Sequence, residues 1–79
     1  MQLLLDYTAA DTASWKQDFD ARSEMRAAAG LSLLQIWQDE AAGSLLCLFE
    51  TRDRPRAEEW LKVERELHGA GNARFLRTL

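Results

Sequence analysis

Cysteine, histidine and proline each occur only once in this chain, and each scarcity removes a class of protein. With Cys47 alone, no internal disulfide can form, and without a Cys/His cluster there is nothing to hold a structural zinc. A lone His68 leaves a His/Asp/Glu metal site short of a second imidazole, so neither a metal nor a cofactor is expected. Long apolar runs are also missing. The opening stretch MQLLLDYTAAD has only three consecutive leucines and no basic segment before them, so it reads as neither a signal peptide nor a membrane span. Positive charge is in deficit: the net charge of -3 repels phosphate backbones and argues against nucleic-acid binding. One cysteine and no export signal lead to the expectation of a reducing, cytoplasmic setting with no membrane partner.

What is present suits one globular unit. A hydrophobic fraction of 47% with 29% charged residues argues against disorder, and 79 residues make one domain, 1–79, around a single core. Folding at this size buries only about 60% of the unfolded chain's surface, so stability is modest unless something adds buried area. Disulfides and metals being excluded, self-association is the supplement left.

The hydrophobic period changes in a definite order. Gln2 to Thr8 (QLLLDYT) separates Leu3, Leu5 and Tyr7 from Leu4, Asp6 and Thr8, the period of a strand. Asp11 or Thr12 can cap a helix that Gly30 closes, so one helix is predicted over roughly 12 to 29, with Trp15, Phe19 and Arg26 on one stripe and Ala21, Met25 and Ala29 beside it. Leu31 to Gln38 and Ser44 to Thr51 then read as a β-hairpin across a short turn rich in Asp, Ala and Gly. Asp53 and Pro55 open a second helix carrying Ala57, Trp60, Leu61, Val63, Glu64 and Leu67, and His68-Gly69-Ala70-Gly71 ends it. The last strand is predicted over Ala73 to Leu79. No linker, repeat or low-complexity segment interrupts this layout.

The order βαββαβ points to an α+β, ferredoxin-like domain: a four-stranded antiparallel sheet with two helices on one face. A sheet covered on one side should be polar on the other. Here it is not: Leu45, Cys47 and Phe49 alternate with Leu46 and Leu48, and Leu33 and Trp37 with Leu34 and Ile36. Each large apolar side chain is worth roughly 1.5 to 3 kcal/mol when buried, so the uncovered face is expected to meet another sheet.

In QLLLDYT, the tryptophan-bearing SWKQDFDARSEMRAAAG, the hairpin LSLLQIWQDEAAGSLLCLFET, PRAEEWLKVERELHGAG and NARFLRTL, the chain resembles the dimeric α/β-barrel superfamily. The resemblance implies a homodimer with sheets packed face to face. It also implies kinship with cofactor-free monooxygenases of the antibiotic-biosynthesis type, isomerases, haem-degrading enzymes and stress-responsive proteins. A small-molecule regulatory domain of the ACT type stays open, whereas three other βαββαβ families lack their signatures here. Strand SLLCLFET has no basic residue and one phenylalanine for base stacking, the loop TAADTAS has no Cys-x-x-Cys pair, and no glycine-rich anion loop with arginine follows the first strand.

Candidate residues follow from that placement. Asp6, on the strand parity opposite Leu3 and Leu5, would face the enclosed space, where a desolvated carboxylate can act as a general base; the alternative is pairing with Arg74 or solvation at the rim. Tyr7 can donate a proton, though its parity is that of the core. The resemblance to haem-degrading members makes His68 a candidate axial ligand; otherwise it is a helix-end histidine interacting with free carbonyls. Trp15, Trp37 and Trp60 could line a cavity for a small apolar or aromatic molecule, with Trp15 and Trp60 also fitting the core and Trp37 a dimer contact. Arg22, Arg26, Arg74 and Arg77 could form a charged mouth, although a solvated surface fits them too. Cys47, between Leu45 and Phe49, reads as a small buried hydrophobe. The function expected is small-molecule binding in a homodimer, with monooxygenase or isomerase chemistry at Asp6, Tyr7 and His68 if it is an enzyme, or else a non-catalytic or structural dimer.

Overall fold

Strict alternation in the first strand sets the two faces of the molecule. In the computed structural model, which describes residues 1–79, Leu3, Leu5 and Tyr7 of β1 (Gln2–Tyr7) are fully buried, and Gln2, Leu4 and Asp6 between them are half-buried. β3 (Leu45–Thr51) alternates in the same way, Leu45, Cys47, Phe49 and Thr51 inward and Leu46, Leu48 and Glu50 outward. These two strands pair antiparallel at the centre of a four-stranded sheet of order β2-β3-β1-β4, with β2 (Leu31–Gln38) and β4 (Ala70–Leu76) at its edges. The fold is α+β and ferredoxin-like, with three helices where two were predicted from the periodicity.

The extra helix comes from a break at Arg22. α1 (Thr12–Ala21) begins at Asp11, whose side chain accepts from the Ala13 N–H at 3.0 Å, and α2 (Ser23–Ala28) follows after one residue of non-helical backbone. A broken helix frees carbonyls that need partners. The Arg26 guanidinium supplies one, donating to the Phe19 carbonyl at 2.7 Å and lying 3.7 Å over the Phe19 ring. Sequence spacing shows a continuous stripe through Trp15, Phe19 and Arg26 but not this capping. Met25 and Ala21, expected beside the stripe, are exposed.

Three further corrections concern the edges. The β2–β3 register slips between Leu33 and Gln35, making Leu34 the extra residue of a β-bulge. Leu33 and Ile36 therefore oppose inward Phe49 and Cys47, whereas Trp37 opposes outward Leu46, so Leu33 and Trp37 do not share a face as simple alternation predicts. The last strand starts at Ala70 and ends at Leu76, earlier at both ends than predicted. Gly69, at φ +73°, turns the chain from α3 (Arg54–Leu67) straight into β4, with Ala70 already opposite Tyr7. Arg26, 5% exposed, is buried and Arg22 half-buried, so neither belongs to the charged mouth or the solvated surface expected of them.

Asp53 caps α3 through the Arg56 N–H, and Pro55 sits in its first turn, where a missing N–H costs no hydrogen bond. α3 buries Ala57, Trp60, Leu61 and Glu64, which follow one another at helical spacing, against the inward face of the sheet. Leu3, Leu5, Tyr7, Phe19, Phe49 and Leu61 form the centre of one core on that side. No helix is long and apolar enough to cross a membrane.

Candidate functional site

One carboxylate lies deep in this core. Glu64 occupies the buried stripe of α3 one turn after Trp60 and Leu61 and is 2% exposed. A buried charge needs partners, and two meet its Oε1 atom. Tyr7, projecting inward from β1, donates its hydroxyl at 2.5 Å, and Arg22, at the helix break, donates from a terminal nitrogen at 3.2 Å. Arg22, three residues after Phe19 and seven after Trp15, falls on the stripe those two rings occupy.

The other oxygen is treated differently. Oε2 accepts no hydrogen bond; its nearest basic side chain is His68, whose Nε2 lies one turn further along α3 at 3.9 Å. On that side lies a groove of about 390 Å³ between α2 and α3, walled by Met25, Ala28, Ala29, Trp60 and Val63, with Glu64 and His68 at its polar end. Arg56 and Glu59 stand at the rim. An apolar trough with one convergent polar group is the usual form of a small-molecule site.

Burial tunes the surrounding groups. The Tyr7 phenol is held far above its ordinary value, first by desolvation and then by its hydrogen bond to Glu64, so it stays protonated and acts as a fixed donor. Burial pushes the Cys47 thiol up to about 12, which keeps it an unreactive thiol at neutral pH. The Arg26 guanidinium is depressed by desolvation, with Tyr7 and Glu64 opposing the effect. Aromatic rings close the floor: Tyr7 meets Trp15 edge-on at 5.1 Å and Phe19 at 6.0 Å, while Trp60 packs edge-on against Phe49 at 5.7 Å.

No protein-family model matches the sequence, and no curated protein matches it. The solved structure of SCO4226 from Streptomyces coelicolor A3(2) is similar, with a TM-score of 0.70 and 17% identity, covering 100% of this chain and 99% of that one. Such a likeness supports the fold and is silent on the site.

The residues expected to act together are divided by the sheet. Tyr7 and His68 both converge on Glu64 inside the helical layer, whereas Asp6 points to the opposite, uncovered face. There its Oδ1 accepts the Asn72 N–H at 3.0 Å rather than pairing with Arg74, and Asp6 and Arg74 line a separate hollow of about 280 Å³ with Leu4, Leu46, Asn72 and Ala73. Trp60 lines the groove, Trp15 packs against Tyr7 and Phe19, and Trp37 stands 45% exposed on the uncovered face. The tryptophans thus mark three places. Glu64 is the site residue that sequence reasoning missed, while Arg22, expected at a charged mouth, instead bonds Glu64. The signal was available: a carboxylate on the apolar stripe of α3, and an arginine on the aromatic stripe of the first helical segment.

Proposed function

We propose that this chain is a small-molecule-binding homodimer whose ligand, small and largely apolar, enters the groove between α2 and α3. One observation carries the reading: a fully buried carboxylate is pinned on one oxygen by Tyr7 and Arg22 and presents the other, without a hydrogen bond, to an apolar-walled groove. The free oxygen is an acceptor that a donor entering the groove can take. Binding is favoured over catalysis because Tyr7 is held protonated and Cys47 is sealed in the core, which leaves no activated nucleophile or base on their side of the groove. A cofactor-free monooxygenase or isomerase activity, the alternative, would have to use Glu64 and His68 rather than Asp6.

The dimer rests on the uncovered sheet face. Trp37 and Leu46 form one cross-strand row, Leu48 and Leu4 the next, and Leu76 stands beyond them, while Asp6 and Glu50 of one sign and Arg74 of the other border the band. A second copy related by a two-fold axis can match apolar rows at the centre and opposite charges at the margin, an isologous contact of the commonest kind. Sedimentation at micromolar concentration tests the association, and a thermal-shift screen with small aromatic molecules tests the groove. A monomeric protein would remove the first reading, and the absence of any stabilising compound would remove the second.

A further inference from the structure

Resting on the groove reading above, we infer that the ligand carries one neutral hydrogen-bond donor, an alcohol or amide N–H, seated on Glu64 Oε2. The chemistry of the open oxygen sets the first half of this. An ionised carboxylate oxygen can only accept, so the group that meets it must donate, and a ligand ending in an ether, a ketone or a carboxylate leaves Oε2 unsatisfied. Donation to a charged acceptor is also among the stronger hydrogen bonds available to a small ligand.

Charge balance sets the second half. Arg22 is bonded to Glu64 on Oε1 at 3.2 Å. One guanidinium therefore already balances the carboxylate before any ligand arrives. An ammonium ligand would bring another positive charge beside Arg22, where like charges repel. A neutral donor takes the hydrogen bond without that repulsion. The walls of Met25, Ala28, Ala29 and Val63 ask for an apolar body behind it.

Four probes with one phenylethyl body separate the possibilities: 2-phenylethanol, its methyl ether, 2-phenylethylamine and phenylacetate. Their affinities for the intact protein are read by quenching of tryptophan emission, Trp60 being part of the groove wall, and by thermal shift. The alcohol should bind about tenfold or more tightly than the ether, the worth of a hydrogen bond to a charged group, and more tightly than the amine or the acid. In Glu64→Gln the alcohol's advantage should shrink to about fivefold or less, because its partner is no longer charged. Filling the groove with Val63→Trp should abolish binding of all four. Equal affinity for alcohol and ether, or tightest binding of the amine, would overturn the neutral-donor inference and leave the groove standing. Failure of every probe to saturate, or binding that survives Val63→Trp, would overturn the groove itself. Should Glu64→Gln fail to fold by near-ultraviolet circular dichroism, the wild-type series alone still decides.

Discussion

Tyr7→Phe removes one oxygen from the interior and nothing else. Tyr7 is fully buried, its hydroxyl donates to a carboxylate at 2.5 Å, and the two residues are 57 positions apart in the chain, so the bond ties the first strand to the last helix. A hydrogen bond to a charged group is worth about 1.5–3 kcal/mol net, and the substitution leaves Oε1 of Glu64 with Arg22 alone. Taking about 2 kcal/mol and a urea m-value of about 1 kcal/mol/M for a domain of this size, the urea midpoint should fall by roughly 2 M. The thermal midpoint should fall by roughly 8–16 °C. Wild type and variant must be compared at equal protein concentration, because association adds to apparent stability. A double-mutant cycle sharpens the test: in a Glu64→Gln background the Tyr7→Phe cost should drop to about 1 kcal/mol, since the acceptor is then neutral. A loss below about 0.5 kcal/mol in the wild-type background would refute the reasoning, for it would mean the hydroxyl is compensated elsewhere.

Other expectations follow from the same structure. In Gly71→Ala the new Cβ would lie 2.1 Å from Asp6 Oδ1, so the Asp6 carboxylate must swing away from the Asn72 N–H, and amide exchange at Asn72 should quicken while binding in the α2–α3 groove is unchanged. Alkaline pH should destabilise the fold: Cys47 is raised from 9.0 to about 12 and Tyr7 is raised too, so the native state favours their protonated forms. The stability they contribute is complete below pH 9 and lost as pH rises from about 9 towards about 12; urea midpoints across that window should decline, and less steeply in Cys47→Ala. Asp53→Ala removes the cap of α3 and should cost about 1 kcal/mol in urea titration, with a cost near zero refuting the capping role. Leu46→Lys places a charge at the centre of the proposed dimer face and should yield a folded monomer by sedimentation, whereas an unchanged dimer would move the interface elsewhere.

Much of the architecture was legible along the chain because strands and helices sort apolar residues by local periodicity. Leu3, Leu5 and Tyr7 against Leu4 and Asp6, and Leu45, Cys47 and Phe49 against Leu46 and Leu48, announced two-faced strands, and the structure buries the first member of each set. The limits appeared where a local rule was overridden by a distant partner. The helix expected over 12 to 29 breaks at Arg22, where the Arg26 guanidinium takes the carbonyl of Phe19, a contact no periodicity encodes. The bulge at Leu34 reverses which residues of β2 face inward, because register belongs to a pair of strands and not to one.

For the site the division is sharper. Composition alone excluded a disulfide framework and a zinc cluster, and strand parity alone put Tyr7 in the core and Asp6 on the other face. The meeting of Tyr7, Arg22 and Glu64 required β1, the helix break and α3 to be brought together across long stretches of chain, and only the packed fold does that. A charge on an apolar stripe is unremarkable until its counter-charge is known. Burial makes the two inseparable, because a carboxylate removed from water is tolerable only where a phenol and a guanidinium already wait for it.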